Sequence, residues 1–161
     1  LPYPPSCLAE FELYPEAVSA CERLREAGDL LIVATNQPDV GRGALARERV
    51  EEMHDFLRSR LAVESVEVCY HGGERYGQVC ECRKPLPGML KVAAARHGIG
   101  LSDSWMVGDR WRDIDCGVAA GCRTVLIQRN YKETLRKRPD FIADNLAAAA
   151  DVILSFNSQN P

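Results

Sequence analysis

The sequence predicts an α/β domain, a Rossmann-like three-layer sandwich on a parallel sheet. Three observations predict it. Short apolar runs alternate with longer segments of helical periodicity. The run Leu30–Ala34 is apolar throughout, as in a strand covered on both faces. Gly28, Gly98 and Gly121 each follow a helical segment, where a left-handed cap ends a helix.

Taken in order, Pro15 to Ala27 reads as a helix, with Pro15 in its first turn and Val18, Cys21 and Leu24 at helical spacing. The strand at Leu30–Ala34 runs into Thr35-Asn36-Gln37-Pro38 and a loop holding Gly41 and Gly43. Ala46 to Leu61 is helical, with the stripe Val50, Met53, Leu57 and Leu61. Val66 to Tyr70 is a short strand, and His71 to Pro87 is polar and irregular. A helix over Gly88–Arg96 precedes a strand at Trp105–Val107 that ends in Gly108-Asp109. A helix over Asp113–Ala120, a strand over Thr124–Ile127, an edge strand over Phe141–Ala143 and a helix over Leu146–Leu154 complete the pattern. Residues 1–155 form one domain by this reading, and residues 156–161 form a frayed, disordered tail. Right-handed crossovers would join the strands.

Composition narrows the function. The chain has 161 residues and a net charge of −3, so no global basic field attracts nucleic acid. No apolar run approaches the ~20 residues of a membrane span. Residues Leu1-Pro2-Tyr3-Pro4-Pro5 carry neither the basic nor the apolar region of a secretion signal. Seven cysteines, an odd number, fit a reducing, cytoplasmic setting better than a disulfide framework. The expected partner is a small phosphorylated substrate, with no nucleic acid, no membrane and a monomeric state.

Four segments carry chemistry. Cys69-Tyr70-His71, eight residues, then Cys80-Glu81-Cys82 offer three thiolates and one imidazole, a ligand set for tetrahedral Zn²⁺. Four protein ligands leave no open position, so this metal is structural. Accidental thiols are the plain alternative, and a redox dithiol is another, although Cys80 and Cys82 lack the two-residue spacing of that chemistry. In Gly108-Asp109, a carboxylate at a strand's carboxyl end suits a hard cation such as Mg²⁺. An ordinary turn competes with that reading, and Asp113 reads as structural support. Thr35 follows a buried strand, where a hydroxyl and nearby backbone N–H groups can grip a phosphoryl oxygen, or simply exit the strand. Arg83-Lys84-Pro85 follows the last thiol: Lys84 can neutralise a transferring phosphoryl group and Arg83 can clamp a second phosphate or hydroxyl, unless the pair is merely solvated. His54, His97, Cys7, Cys21, Cys116 and Cys122 read as structural, and the basic run from Arg129 to Arg138 as a solvated loop.

These elements in this order resemble the haloacid dehalogenase (HAD) superfamily of phosphatases. They resemble most the branch that holds the D-glycero-D-manno-heptose 1,7-bisphosphate phosphatases and the histidinol-phosphatase domain. The resemblance runs from about Pro2 to Ile153. It rests on Phe11-Glu12-Leu13-Tyr14-Pro15, Thr35-Asn36-Gln37, Gly41-Arg42-Gly43, the Cys-x-His and Cys-x-Cys pairs, Arg83-Lys84-Pro85-Leu86-Pro87-Gly88-Met89-Leu90 and Met106-Val107-Gly108-Asp109. It implies that Thr35 binds the transferring phosphoryl group while Asn36, Gln37 and Pro38 line the substrate site. It implies that Lys84 stabilises phosphoryl charge, Arg83 recognises the rest of the substrate, Asp109 completes Mg²⁺ coordination with Arg110 beside it, and Cys69, His71, Cys80 and Cys82 hold Zn²⁺ in a loop that stands in for a cap domain.

The sequence departs from the family at one point. The family opens on an apolar strand with an Asp-x-Asp motif that supplies the nucleophile and the general acid/base. The acidic residues before the first helix here are Glu10 and Glu12, and neither follows an apolar strand. The missing strand would be the central one, and its loss would leave unpaired backbone groups and a void in the core. The expectation is an N-terminally incomplete, inactive copy of a Mg²⁺-dependent phosphatase that works through an aspartyl phosphate. A zinc-stabilised sugar-phosphate-binding module and a thiol-based redox or metal-delivery protein are the rivals.

Overall fold

Residues 4–129 and 131–159 are described by the computed structural model. The expectations at Leu1–Tyr3 and at residues 160–161 lie outside the described residues. The predicted strands form, and each pairs in parallel with its neighbour. Strand β1 (Ile32–Asn36) lies beside β2 (Ser65–Cys69), in register from Ile32 opposite Ser65 to Asn36 opposite Cys69. Strand β3 (Trp105–Gly108) pairs with β4 (Arg123–Ile127), and β4 pairs with β5 (Phe141–Ala143). Two sheets result, ordered β1-β2 and β3-β4-β5. Between them lies an apolar cavity of about 450 Å³, bordered by Val33 and Ala34 of β1, Met106 and Val107 of β3, and Met89 and Ile153. Natural cores hold few voids larger than a water molecule.

The helices are α1 (Pro15–Glu26), α2 (Pro38–Gly41), α3 (Arg47–Arg60), α4 (Gly88–His97), α5 (Trp111–Ala120) and α6 (Leu146–Gln159). Side chains alternate across a strand, so neighbouring residues report opposite faces. Thr124 of β4 meets α5, where its Cγ2 lies 2.8 Å from the place a Cβ on Gly117 would occupy. Val125, the next residue, packs with Ala20 and Leu24 of α1 and with Ala149, Ala150 and Ile153 of α6. Helices α1 and α6 therefore cover one face and α5 the other, which makes three layers. Helix α4 backs β1 and β2.

Three expectations shift. The first strand begins at Ile32, not Leu30, because pairing with β2 sets its register; Leu30 is exposed and the Leu31 carbonyl takes the Glu64 N–H at 2.8 Å. The expected loop after Gln37 contains α2, started by Pro38 with its fixed φ. The expected frayed tail is helical through Gln159, since Phe156 stacks edge-on against Trp105 at 5.2 Å between ring centroids and meets Phe141 at 6.3 Å. Among the described residues no helix is long and apolar enough to cross a membrane.

His54 lies buried on the inner face of α3, 5% exposed, on the same face as Val50 and Met53. Burial holds its imidazole below the ordinary 6.5, and the Glu51 carboxylate offsets that only in part. A base depressed in the folded state contributes stability above its ordinary value and loses it as pH falls towards the folded one. The melting midpoint should therefore fall between about pH 7 and pH 5, and H54F should flatten that slope. An unchanged slope in H54F, measured by thermal scans across pH, would refute the assignment.

Candidate active site and adjoining metal centre

Lys84 ties the two sheets together at their carboxyl ends. Its Nζ donates to the Ala34 carbonyl of β1 at 2.6 Å and pairs with Asp113 Oδ1 of α5 at 2.7 Å. Both side chains are largely buried, 12% and 8% exposed. Asp113 reaches this position because Gly108, ending β3, has no side chain: a Cβ there would fall 2.3 Å from the Asp113 Cβ. The other Asp113 oxygen accepts the Arg110 N–H at 3.1 Å and so caps α5. The Lys84 backbone is clamped by the Asn36 side chain, which accepts its N–H at 3.0 Å and donates to its carbonyl at 3.1 Å. Thr35 stands beside this clamp, and its hydroxyl accepts the Gln37 amide at 3.4 Å. Thr35, Asn36 and Lys84 thus share one rim with the end of β3.

The sulfur-rich loop abuts that rim. Cys69 ends β2, and its carbonyl accepts the Gln37 N–H at 2.8 Å. The four ligand atoms of Cys69, His71, Cys80 and Cys82 lie within 4.8 Å of one another. Cys69 Sγ is 3.6 Å from His71 Nδ1 and 3.7 Å from Cys80 Sγ, and Cys82 Sγ is 3.3 Å from His71 Nδ1. Sulfur at about 2.3 Å and nitrogen at about 2.0 Å from a tetrahedral zinc would be separated by about 3.5–3.8 Å. Burial, and then the neighbouring thiols, push the Cys82 thiol up to about 12, so three thiolates here call for a strong cation. Gln78 staples the loop to α2: its side chain accepts the Gly72 N–H at 2.6 Å and donates to the Gly41 carbonyl at 3.0 Å. Gly41 permits that approach, since a Cβ would lie 2.4 Å from the Tyr70 carbonyl. Arg83 donates to the His71 carbonyl at 2.8 Å, which fixes its guanidinium to the loop.

The third part lies past β3. Asp109 accepts the Tyr131 O–H at 3.1 Å. Arg110 forks onto Glu133 at 2.9 and 2.6 Å and stacks on the Tyr131 ring at 4.2 Å. The Arg110 hydrogen bonds hold the Glu133 carboxyl below its ordinary range, and burial, followed by the charge of Asp109, raises the Tyr131 hydroxyl. Sequence reading missed Tyr131 and Glu133. They lie more than twenty residues from their partners, in a segment without periodicity, so no local signal could reveal them. It missed Gln78 too, whose bond to Gly41 spans 37 residues. Asn36, expected at the substrate site, spends its amide on the Lys84 backbone, so its direct bonds position that lysine.

Several known proteins are similar to this chain. A family model described as HAD-hydrolase-like matches residues 81–149. A Pseudomonas putida protein named D-glycero-beta-D-manno-heptose-1,7-bisphosphate 7-phosphatase is 38% identical, over 89% of this chain and 85% of its own length. The Escherichia coli K12 protein of the same name is 34% identical, over 76% of this chain and 69% of its own. The D,D-heptose 1,7-bisphosphate phosphatase of B. bronchiseptica, solved with magnesium and phosphate, superposes with a TM-score of 0.82 at 30% identity, over 94% of this chain and 88% of that one.

The Gln78 staple is open to a direct test. Q78A should speed hydrogen exchange at the Gly72 amide and lower the melting midpoint by roughly 2–6 °C, the loss of about 1–2 kcal/mol. Unchanged exchange at Gly72 would show that the staple does not hold the loop.

Proposed function

The chain belongs to the HAD-like phosphatases, in the branch of the heptose 1,7-bisphosphate phosphatases, and from that premise we propose that it serves the Mg²⁺-dependent hydrolysis of D-glycero-D-manno-heptose 1,7-bisphosphate or a closely similar sugar phosphate. One observation carries the reading: the buried Lys84 bridges the carbonyl of Ala34, next to Thr35, and the Asp113 carboxylate packed against Gly108, next to Asp109, beside a loop of four soft ligands. A transferring phosphoryl group spreads negative charge over its oxygens, and fixed donors there lower the barrier.

In this proposal Thr35 donates its hydroxyl to a phosphoryl oxygen, and Gln37 and Pro38 line the approach. Lys84 turns part of its hydrogen bonding from Ala34 to the phosphoryl group while Asp113 keeps it in place. Arg83 and Arg110 bind the remainder of the substrate. Asp109 would hold Mg²⁺: a carboxylate oxygen suits a hard cation, which keeps several waters and takes substrate phosphate as further ligands. Bound there, Mg²⁺ would offset phosphoryl charge. Cys69, His71, Cys80 and Cys82 would hold a structural Zn²⁺, which stiffens the loop that delivers Arg83 and Lys84.

The reaction itself needs a carboxylate nucleophile. An Asp oxygen attacks phosphorus in line, the sugar oxygen leaves, and water then hydrolyses the aspartyl phosphate. No Asp-x-Asp follows an apolar strand ahead of the first helix; the pattern occurs at Asp113-Ile114-Asp115, inside α5, where Asp113 pairs with Lys84. The proposal therefore includes a nucleophile supplied by an upstream segment, with the 161 residues alone inactive and the protein at work in the cytoplasm.

Phosphate release decides the chemistry. The 161-residue chain should release no phosphate from heptose 1,7-bisphosphate, and a chain extended by an apolar strand with Asp-x-Asp should do so. K84A in the extended chain should lower kcat about 10²–10³-fold. Turnover by the 161 residues at a rate comparable to full-length relatives, or preference for histidinol phosphate in the extended chain, would overturn the assignment. Metal analysis should return about one zinc per chain, lost only on unfolding. A labile metal together with a reversible Cys80–Cys82 bond would favour redox chemistry.

A further inference from the structure

Arg110 opens α5 as its N-cap, and its backbone N–H is taken by Asp113 Oδ2 at 3.1 Å. Only the side chain is left to place. Glu133, 23 residues on, accepts from Nε at 2.9 Å and from Nη2 at 2.6 Å, and the Tyr131 ring covers the guanidinium at 4.2 Å. One edge and one face of the planar group are thus held at once, which a lysine ammonium could not reproduce. Residues 131–139 belong to no helix or strand. They are nevertheless pinned to the start of α5 a second time, by Arg136 stacked on the Trp111 ring at 3.8 Å. The place of Glu133 is therefore fixed from both sides.

Exposure and charge decide what the held side chain can still do. Arg110 is 39% exposed and Glu133 only 23%. A guanidinium carries five N–H donors, and Glu133 takes two of them. The rest serve the Tyr131 hydroxyl, with which Arg110 shares a hydrogen bond, and an incoming anion. Arg112 stands 3.9 Å from the same Glu133 oxygen, so two arginines face one carboxylate and positive charge is left over. The side-chain partners of Arg110 lie after β4, apart from those of Lys84, which are Ala34 and Asp113. Arg110 can therefore take a second anion while Lys84 serves the first. A mobile arginine would lose rotamer entropy when the anion arrives, whereas this one has already lost it on folding.

We propose, on the footing of the phosphatase reading, that Glu133 is a positioning residue: it holds Arg110 ready for the substrate phosphate that is not transferred, and so favours a sugar bisphosphate over its monophosphate. Glu133 acts through Arg110 and not on the substrate. By charge alone, removing a carboxylate beside an anion site tightens anion binding. Loss of positioning weakens it, so the sign of the change separates the two roles.

The test compares E133A, R110A and the double variant. In the chain extended by an apolar strand with Asp-x-Asp, E133A should raise KM for heptose 1,7-bisphosphate about three- to tenfold, the effect of ordering one long side chain, and leave kcat within about twofold. KM for heptose 7-phosphate should not move. In the R110A background E133A should have no further effect. E133Q, which keeps the shape and one acceptor, should shift KM in the same direction by less. Titration calorimetry on the 161-residue chain needs no turnover: E133A should weaken binding of heptose 1,7-bisphosphate by the same three- to tenfold or so, and R110A at least as much. Tighter binding in E133A, a fall in kcat at unchanged KM, an equal rise in KM for the monophosphate, or an undiminished effect in the R110A background would each overturn the proposal. So would the absence of measurable bisphosphate binding. Phosphate release by the extended chain with none of these differences sinks the role of Glu133 and leaves the phosphatase reading intact. Weaker bisphosphate binding in E133A, with no phosphate release from the extended chain, upholds Glu133 and sinks the reading of the chemistry.

Discussion

The ion pair between Lys84 and Asp113 is the joint on which the arrangement depends. It sits where two separately hydrogen-bonded sheets meet, and it is the described contact that ties the end of β1 to the end of β3 through side chains. Breaking such a buried pair by removing one partner typically costs about 3–5 kcal/mol, because the survivor is left charged and dry. The pair is held by devices on both sides. Asn36 locks the lysine's backbone, and the glycine ending β3 makes room for the carboxylate.

The sulfur-rich loop extends that logic outward. Arg83 and Lys84 follow Cys82 directly, so whatever stiffens the four ligands also fixes the two cations. The loop is anchored at three separate points: Cys69 in β2, Gln78 against α2, and Arg83 on the His71 carbonyl. A long polar segment that would otherwise cost conformational entropy to order becomes a wall of the site. On the opposite side, Tyr131 and Glu133 hold Asp109 and Arg110 through hydrogen bonds and ring stacking, so residues adjacent in sequence are steadied by a distant segment.

Much of the fold was legible because the periodicity is strong. Helices α1, α3 and α4 fall within a residue or so of their expected bounds, since their stripes and caps are local properties. The four soft ligands were legible from spacing and type alone, and they do come together. What escaped was non-local. The start of β1 depends on where β2 pairs, the length of α6 on an aromatic cluster across β3 and β5, and the anchoring of Arg110 on Glu133. The division of the strands into two sheets, and the cavity between them, belong to the tertiary structure alone.

By itself the sequence determined which residue types are present and at what spacing: alternating apolar runs, three thiols with an imidazole, a lysine after the last thiol, an aspartate at a strand's end. Those properties are local, fixed by covalent neighbours and by the periods of helix and strand. Tertiary structure alone decided which of them meet. Lys84 finds Asp113 and Ala34 across gaps of 29 and 50 residues, and no local pattern encodes that encounter, because it depends on how sheets and helices pack into one body.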